Sequence, residues 1–311
     1  MDLLLALILI TLTSFWAMIV GIRLGQTASN RLQFIIQLLV VVACSCYFFF
    51  VWDRPFLSQY LPHTALIVLA NWHPMMGSFF AGMYLASGRI KLRRRLILGP
   101  MTLALAGYSI VAPVLGHAPI CATATSASPL IAQTTPYTCS PAAAASLLRL
   151  YGIAATESEM AKLCLTRHGT HWMGVYRGLK LMTEGTPWEV VAQPFSRKVV
   201  MSLGDSPALL SVNIDTDRIR TCEDHGFRGS SGHSVLALGS RDHREVMVFD
   251  PAPSYGIERW DRKLLSWVSH GVILRLRPRN GTEDEGPVRN RITEATRQYD
   301  QFACIGWNSR I

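Results

Sequence analysis

Four long apolar runs fill the first 116 residues, at about 3–22, 33–52, 65–87 and 96–115, and only two acidic residues (Asp2, Asp53) lie among them. A bilayer core about 30 Å thick takes roughly 20 apolar residues of helix to cross, and each run meets that length. A segment of this kind cannot be the core of a single water-soluble domain. Residues 1–116 therefore read as a membrane α-helical part of about four spans. The first run starts at Asp2 with no basic residue ahead of it, and three more follow, so it reads as a true span and not a cleaved signal peptide.

Charge fixes the expected orientation. The chain carries a formal net charge of +9 and only 16% charged residues, where soluble domains have about a quarter. The net is +6 over 1–116, +4 over 117–280 and −1 over 281–311. Most of the excess flanks the apolar runs, so the basic character marks membrane loops and excludes nucleic acid as a partner. Arg23 and Arg31 follow the first run, and Arg54, offset by Asp53, follows the second. Arg89, Lys91, Arg93, Arg94 and Arg95 follow the third. Lys and Arg in short loops stay in the cytoplasm. Everything after Gly116 is then expected outside it, periplasmic or at the cell surface, with membrane lipid as a partner.

The third run holds Asn71, Trp72, His73 and Pro74 at its middle. An ionisable group at that depth is a functional candidate; a kink at Pro74, with its freed backbone groups satisfied inside the bundle, is the simpler reading. Gly77, Ser78, Ala81 and Gly82 give the small-residue spacing of close helix packing.

Residues 117–128 are small and polar and read as a spacer. Residues 129–280 are ordinary globular sequence, long enough for one core, and 281–311, with Glu283-Asp284-Glu285, read as a polar tail. Within the domain the pattern predicts helices over 141–151 and 172–182. Strands are predicted over 208–214, 234–238, 246–249 and 272–276. Helices first and strands after make the domain α+β.

The chemistry centres on Cys139. Ser140-Pro141 is a good helix start, which puts Cys139 at a helix N-terminus, where exposed N–H groups lower a thiol pKa. A thiolate nucleophile needs a base and the base an orienting group. His233 follows a Gly-Ser-Ser-Gly run and leads into Ser-Val-Leu-Ala-Leu-Gly239; after a polar turn comes Glu245-Val-Met-Val-Phe-Asp250. This reads as a β-hairpin. Pairing Gly239 with Glu245 sets His233 opposite position 251, so Asp250 falls within one residue of it across the ladder.

These segments together resemble a known family. Gln133-Thr-Thr-Pro-Tyr-Thr-Cys139-Ser-Pro-Ala with Leu150-Tyr-Gly152 is similar to the opening of the bacteriocin-leader (double-glycine) cysteine peptidases, a C39-like family of the papain-like superfamily. Gly232-His233-Ser-Val-Leu-Ala-Leu-Gly239 and Val248-Phe-Asp250-Pro251 resemble its histidine and aspartate segments. The resemblance covers about residues 129–277 and implies a papain-like α+β peptidase. It implies Cys139 as nucleophile, His233 as general base, Asp250 as its orienter and Gln133 as an oxyanion donor beside the Cys139 N–H. The chain departs from the family in having Thr138 where many members carry an acid. No Gly is followed by Lys, so the phosphate-binding loop of the exporter-fused members is absent and no nucleotide is expected.

The expectation is thus a membrane-anchored cysteine peptidase cleaving a peptide or protein outside the cytoplasm, with other membrane or secretion components as further candidate partners. The alternatives are a non-catalytic peptide-binding module of the same fold, and the same thiol chemistry used for acyl transfer. No cofactor or metal is expected. His168 and His171 lie three apart near Cys164, but no acidic partner stands at ligand spacing. Asp215, Asp217, Glu223 and Asp224 read as solvated loop charges. Outside the membrane Cys121, Cys164, Cys222 and Cys304 remain after Cys139, enough for two disulfides with three connectivities open.

Overall fold

Asp2 opens a helix that runs without a break to Thr27 (α1), because the stretch holds no proline and its two glycines face a neighbouring helix. The computed structural model describes residues 2–61, 65–88, 91–122, 128–214, 232–240, 244–279 and 286–307, the side chains of the last ten excepted. The chain folds as two compact units, Met1–Leu115 and Gly116–Ile311.

In the first unit, α2 spans Asn30–Phe50, capped by Ser29, whose Oγ accepts the Leu32 N–H at 3.4 Å. Among the described helices, α1 and α2 are long and apolar enough to cross a membrane. No residue of α2 is buried, and Phe34, Leu38 and Leu39 are more than half exposed.

The other two runs form no helix that meets this test among the described residues, against an expectation of about four spans with a kink at Pro74 in the third. After a short α3 (Leu57–Tyr60), the third run breaks into α4 (Leu66–Leu69) and α5 (His73–Ala86). Pro74 lacks an N–H and is tolerated only in a first helical turn, so the helix restarts there. Asn71 seals the break: its Oδ1 accepts the His73 N–H at 3.3 Å and lies 2.8 Å from His73 Nδ1, and its Nδ2 donates to the Ser109 carbonyl at 2.8 Å. The Tyr47 hydroxyl donates to the Ala70 carbonyl. At 1.5 Å per residue α5 is about 21 Å long, short of a bilayer core. The fourth run forms α6 (Leu92–Val111), which takes Arg93, Arg94 and Arg95 into its first turns.

The small residues of the third run do pack closely. A Cβ on Gly82 would meet the Met18 carbonyl oxygen at 2.2 Å, and one on Gly21 would meet that of Phe79 at 2.2 Å. Such backbone approach gains dispersion contacts that larger side chains would block.

The second unit is α+β. Its helices come first: α7 (Cys139–Leu150), α8 (Glu157–Leu163) and α9 (Trp172–Met182). Six strands follow: β1 (Trp188–Pro194), β2 (Ala208–Ile214), β3 (His233–Gly239), β4 (Glu245–Asp250), β5 (Gly256–Asp261) and β6 (Val268–Pro278). They form one antiparallel sheet in the order β1-β6-β2-β3-β4-β5. Two short helices, α10 (Arg197–Met201) and α11 (Arg262–Leu265), carry Val200, Met201, Leu264 and Leu265 onto a core with Leu210, Val235, Val248, Trp260 and Ile273.

On the other face α7 packs across β2, β3 and β4. Ala142–Ala145 are fully buried, and their small side chains let the helix lie close to the sheet. The predicted 172–182 helix and 208–214 strand have those bounds. The elements α8, β1 and β5 were not legible, because each is short and mixes polar with apolar residues without a sustained period.

The segment read as a polar tail carries a helix, α12 (Gly286–Trp307). Val288, Ile292 and Ala295 repeat at i, i+4 and i+7 and are buried, and Arg291 Nη1 donates to the Leu150 carbonyl at 3.1 Å, satisfying an open end of α7. Its apolar stripe is too narrow to stand out in a polar stretch.

Candidate active site

The loop before α7 is tied down at several points. The Gln133 N–H donates to the Pro251 carbonyl at 2.7 Å, which joins this loop to the end of β4. Thr134 gives both its N–H and its hydroxyl to the buried Glu157 carboxylate, at 2.8 Å each. Thr138 Oγ1 donates to the Thr135 carbonyl at 3.0 Å instead of capping α7. The N–H of Cys139, first residue of the helix, is left without an acceptor among the described residues. Gln133 Nε2 donates to the Thr135 carbonyl at 3.1 Å, and its Oε1 is buried without a partner among the described residues.

His233 and Asp250 meet through a register one residue away from the expected one. The β3–β4 ladder pairs Gly239 with Met247, then shifts at a bulge to Ala237 with Val248 and Leu236 with Phe249. Continued to the strand end, this register sets Asp250 beside Val235, on the same sheet face as His233. The expected pairing of Gly239 with Glu245 would have set Asp250 opposite Ser234, on the wrong face, since a one-residue slip reverses every side chain. Gly239 makes the bulge possible. Its φ is +147°, and a Cβ there would meet the Gly204 carbonyl oxygen at 2.4 Å.

His233 Nε2 lies 2.9 Å from each oxygen of Asp250. The aspartate side chain is fully buried and that of His233 is 10% exposed. The Ala252 N–H donates to Asp250 Oδ1 at 2.8 Å, fixing the carboxylate. With Nε2 on the aspartate, Nδ1 is the nitrogen left for the hydrogen bond that His233 makes with Cys139.

Burial alone would push the Cys139 thiol pKa up. The hydrogen bond and charge of His233, with the Ser234 N–H and the Ser140 hydroxyl, overcome it and hold the thiol below its ordinary value. Burial likewise disfavours a charged His233, but the Asp250 hydrogen bond and charge, with those of Cys139, push its pKa up to about 10. Both shifts favour a thiolate–imidazolium pair.

The sequence reading missed Ser140, Ser234 and Glu157. Ser140 and Ser234 directly follow the cysteine and histidine, and their hydroxyls meet at 2.7 Å, joining α7 to β3. Their adjacency to Cys139 and His233 was the available signal. Glu157 gave none, since nothing in the sequence links it to Thr134.

Other sequence candidates go elsewhere. His171 caps α9, its Nδ1 accepting the Met173 N–H, while His168 sits edge-on against Tyr137. Cys121 and Cys164 are free thiols, so the expected bridges are not formed at these positions. Cys164 is buried beneath α9, where a Cβ on Gly178 would meet its sulfur at 2.5 Å, and burial pushes its pKa up to about 12. Arg89, Asp215, Asp217, Cys222, Glu223, Asp224 and His243 lie outside the described residues, as does the side chain of Cys304.

Residues 125–269 match the family described as Peptidase_C39 like, so the resemblance read from the sequence holds over this domain. Two solved structures are similar at partial coverage. One is the peptidase domain of Streptococcus ComA, described as a bi-functional ABC transporter involved in a quorum sensing pathway. It is 19% identical, with 48% of this chain and 98% of that chain covered and a TM-score of 0.36. The other is the peptidase domain of Streptococcus mutans ComA, with the same identity and coverages and a TM-score of 0.31. No curated protein matches this chain.

Proposed function

We propose that this protein is a membrane-anchored cysteine peptidase that cleaves a peptide or protein on the extracytoplasmic side of a membrane. The observation that carries the reading is His233 held between a buried carboxylate and the Cys139 thiol at the start of α7. In this mechanism the Cys139 thiolate attacks the scissile carbonyl carbon, and the imidazolium of His233 gives its proton to the leaving amine. The thioester left on Cys139 is then hydrolysed by water that His233 deprotonates. Asp250 holds the imidazole in one orientation throughout. The open Cys139 N–H and the Gln133 amide are the donors for the oxyanion.

Anchoring rests on α1 and α2, whose apolar surfaces need an apolar solvent. We place the α4–α5 pair and α6 in the membrane as third and fourth crossings. Together α4, its bend and α5 cover residues 66–86, about 31 Å at helical rise. Arg93, Arg94 and Arg95 then lie on the cytoplasmic side and the peptidase domain outside. A periplasm-dependent phosphatase fused after Ile311 should be active and a cytoplasm-dependent reporter there silent. The reverse pattern would remove a crossing and put the domain inside.

The pKa directions set the expected pH profile. Activity should rise as Cys139 loses its proton, below the ordinary thiol range, and fall as His233 loses its proton near pH 10. A group whose pKa is raised on folding stabilises the fold fully below its unfolded value. For His233 that is about 6.5, and the contribution is lost as pH rises through about 10. A kcat/KM profile on a peptide substrate checks this. An activity limb near the free-histidine value would show that Asp250 does not hold the imidazole charged. The proposal as a whole is tested with a peptide carrying a thiol-directed electrophile, which should modify Cys139 and block turnover. A chain that binds peptides, cleaves none and resists this probe would be a binding module.

A further inference from the structure

Two hydroxyls beside the thiol take no part in the mechanism above. Ser140 and Ser234 are 3% and 2% exposed, and their Oγ atoms lie 2.7 Å apart. Ser140 Oγ is also 4.0 Å from Cys139 Sγ, within reach of a hydrogen bond to sulfur. Neither hydroxyl has another partner among the described residues. Packing alone does not call for hydroxyls here, since α7 continues with four buried alanines.

Charge gives the pair a direction. Each hydroxyl has one proton to donate. If Cys139 is a neutral thiol, its S–H goes to His233, and its sulfur is only a weak acceptor for the Ser140 hydroxyl. If Cys139 is a thiolate, Ser234 donates to Ser140 and Ser140 donates to sulfur. The bond to sulfur is then charge-assisted, and the chained bonds polarise one another.

We propose that Ser140 and Ser234 form a hydroxyl relay that stabilises the Cys139 thiolate, Ser140 touching the sulfur and Ser234 acting through it as a positioning residue. The inference rests on Cys139 being the nucleophile. The titratable groups that bear on the thiol, among the described residues, are His233 on β3 and, behind it, Asp250 of β4. The relay therefore acts beside the imidazolium. It adds a neutral donor that keeps its strength when His233 titrates.

The test is the pH dependence of Cys139 alkylation by iodoacetamide, a neutral electrophile, in the full chain in detergent, with peptide mass mapping to isolate this cysteine. The wild-type midpoint should fall below the ordinary thiol value of about 8.5. Ser140→Ala should move it up by about one pH unit, roughly a tenfold loss of thiolate on the acid limb, as expected for one hydrogen bond to a charged group. Ser234→Ala should move it in the same direction by less. The double variant should go no further than Ser140→Ala, because Ser234 works through Ser140. Thermal unfolding checks that the variants are folded, and if Ser140→Ala is not, Ser234→Ala carries the test. Midpoints unchanged in the folded variants overturn the relay alone. A wild-type midpoint at the ordinary thiol value overturns the nucleophile reading, and the relay with it.

Discussion

Cys139→Ala is expected to abolish peptide cleavage while leaving the fold intact, since it removes one half-buried sulfur at the start of α7. His233→Ala should cause a comparable loss, on the order of 10⁴ or more in kcat, because nucleophile and base act as one unit. The double variant should be no worse than either single one. Asp250→Asn should keep part of the activity, because the amide still holds the ring while the negative charge that stabilises the imidazolium is gone. His270→Ala is the control. His270 is exposed and its ring bonds Asn213 and Ser269, neither of which belongs to the proposed mechanism. Steady-state kinetics on a fluorogenic peptide, with circular dichroism for the fold, decides the matter. Full activity in His233→Ala, with loss in another histidine variant, would displace His233 from the site.

Gln133→Ala should cost on the order of 10²–10³ in rate, the usual effect of removing one oxyanion donor. The loss should appear equally in kcat and kcat/KM, since the oxyanion exists only in the transition state and the intermediates flanking it. Its backbone is fixed by the bond to Pro251, and its Nε2, which donates to the Thr135 carbonyl at 3.1 Å, carries a second N–H to give to an oxyanion. A variant that raised KM alone would make Gln133 a substrate-binding residue and leave the oxyanion to backbone donors.

Much of the site was legible because its chemistry is local. Ser140-Pro141 marks the helix start at Cys139 whatever surrounds it, since proline fits only the first turn. Alternating apolar residues mark β2 over Leu210–Ile214, and short continuous apolar runs mark β3 and β4, which are buried on both faces. The first two apolar runs announce helices long and apolar enough to cross a membrane, α1 and α2. The order of the Gln133, Cys139, His233 and Asp250 segments carries the family resemblance, because side chains that act together must recur in a fixed order along a fixed fold.

What the sequence left open depends on contacts between distant residues. Whether Asp250 faces His233 turns on a single bulge at Gly239, and that bulge is stabilised by the Gly204 carbonyl, 35 positions earlier in the chain. The same holds for Glu157 bracing Thr134, for Ser234 reaching Ser140 and for Arg291 of α12 closing the end of α7. The third apolar run has the composition of a span, yet Pro74 and the Asn71 hydrogen bonds divide it. Residue type and spacing thus determined which groups are available for chemistry. Strand register and side-chain hydrogen bonds across the fold decided which of them meet, because those depend on partners that no local pattern encodes.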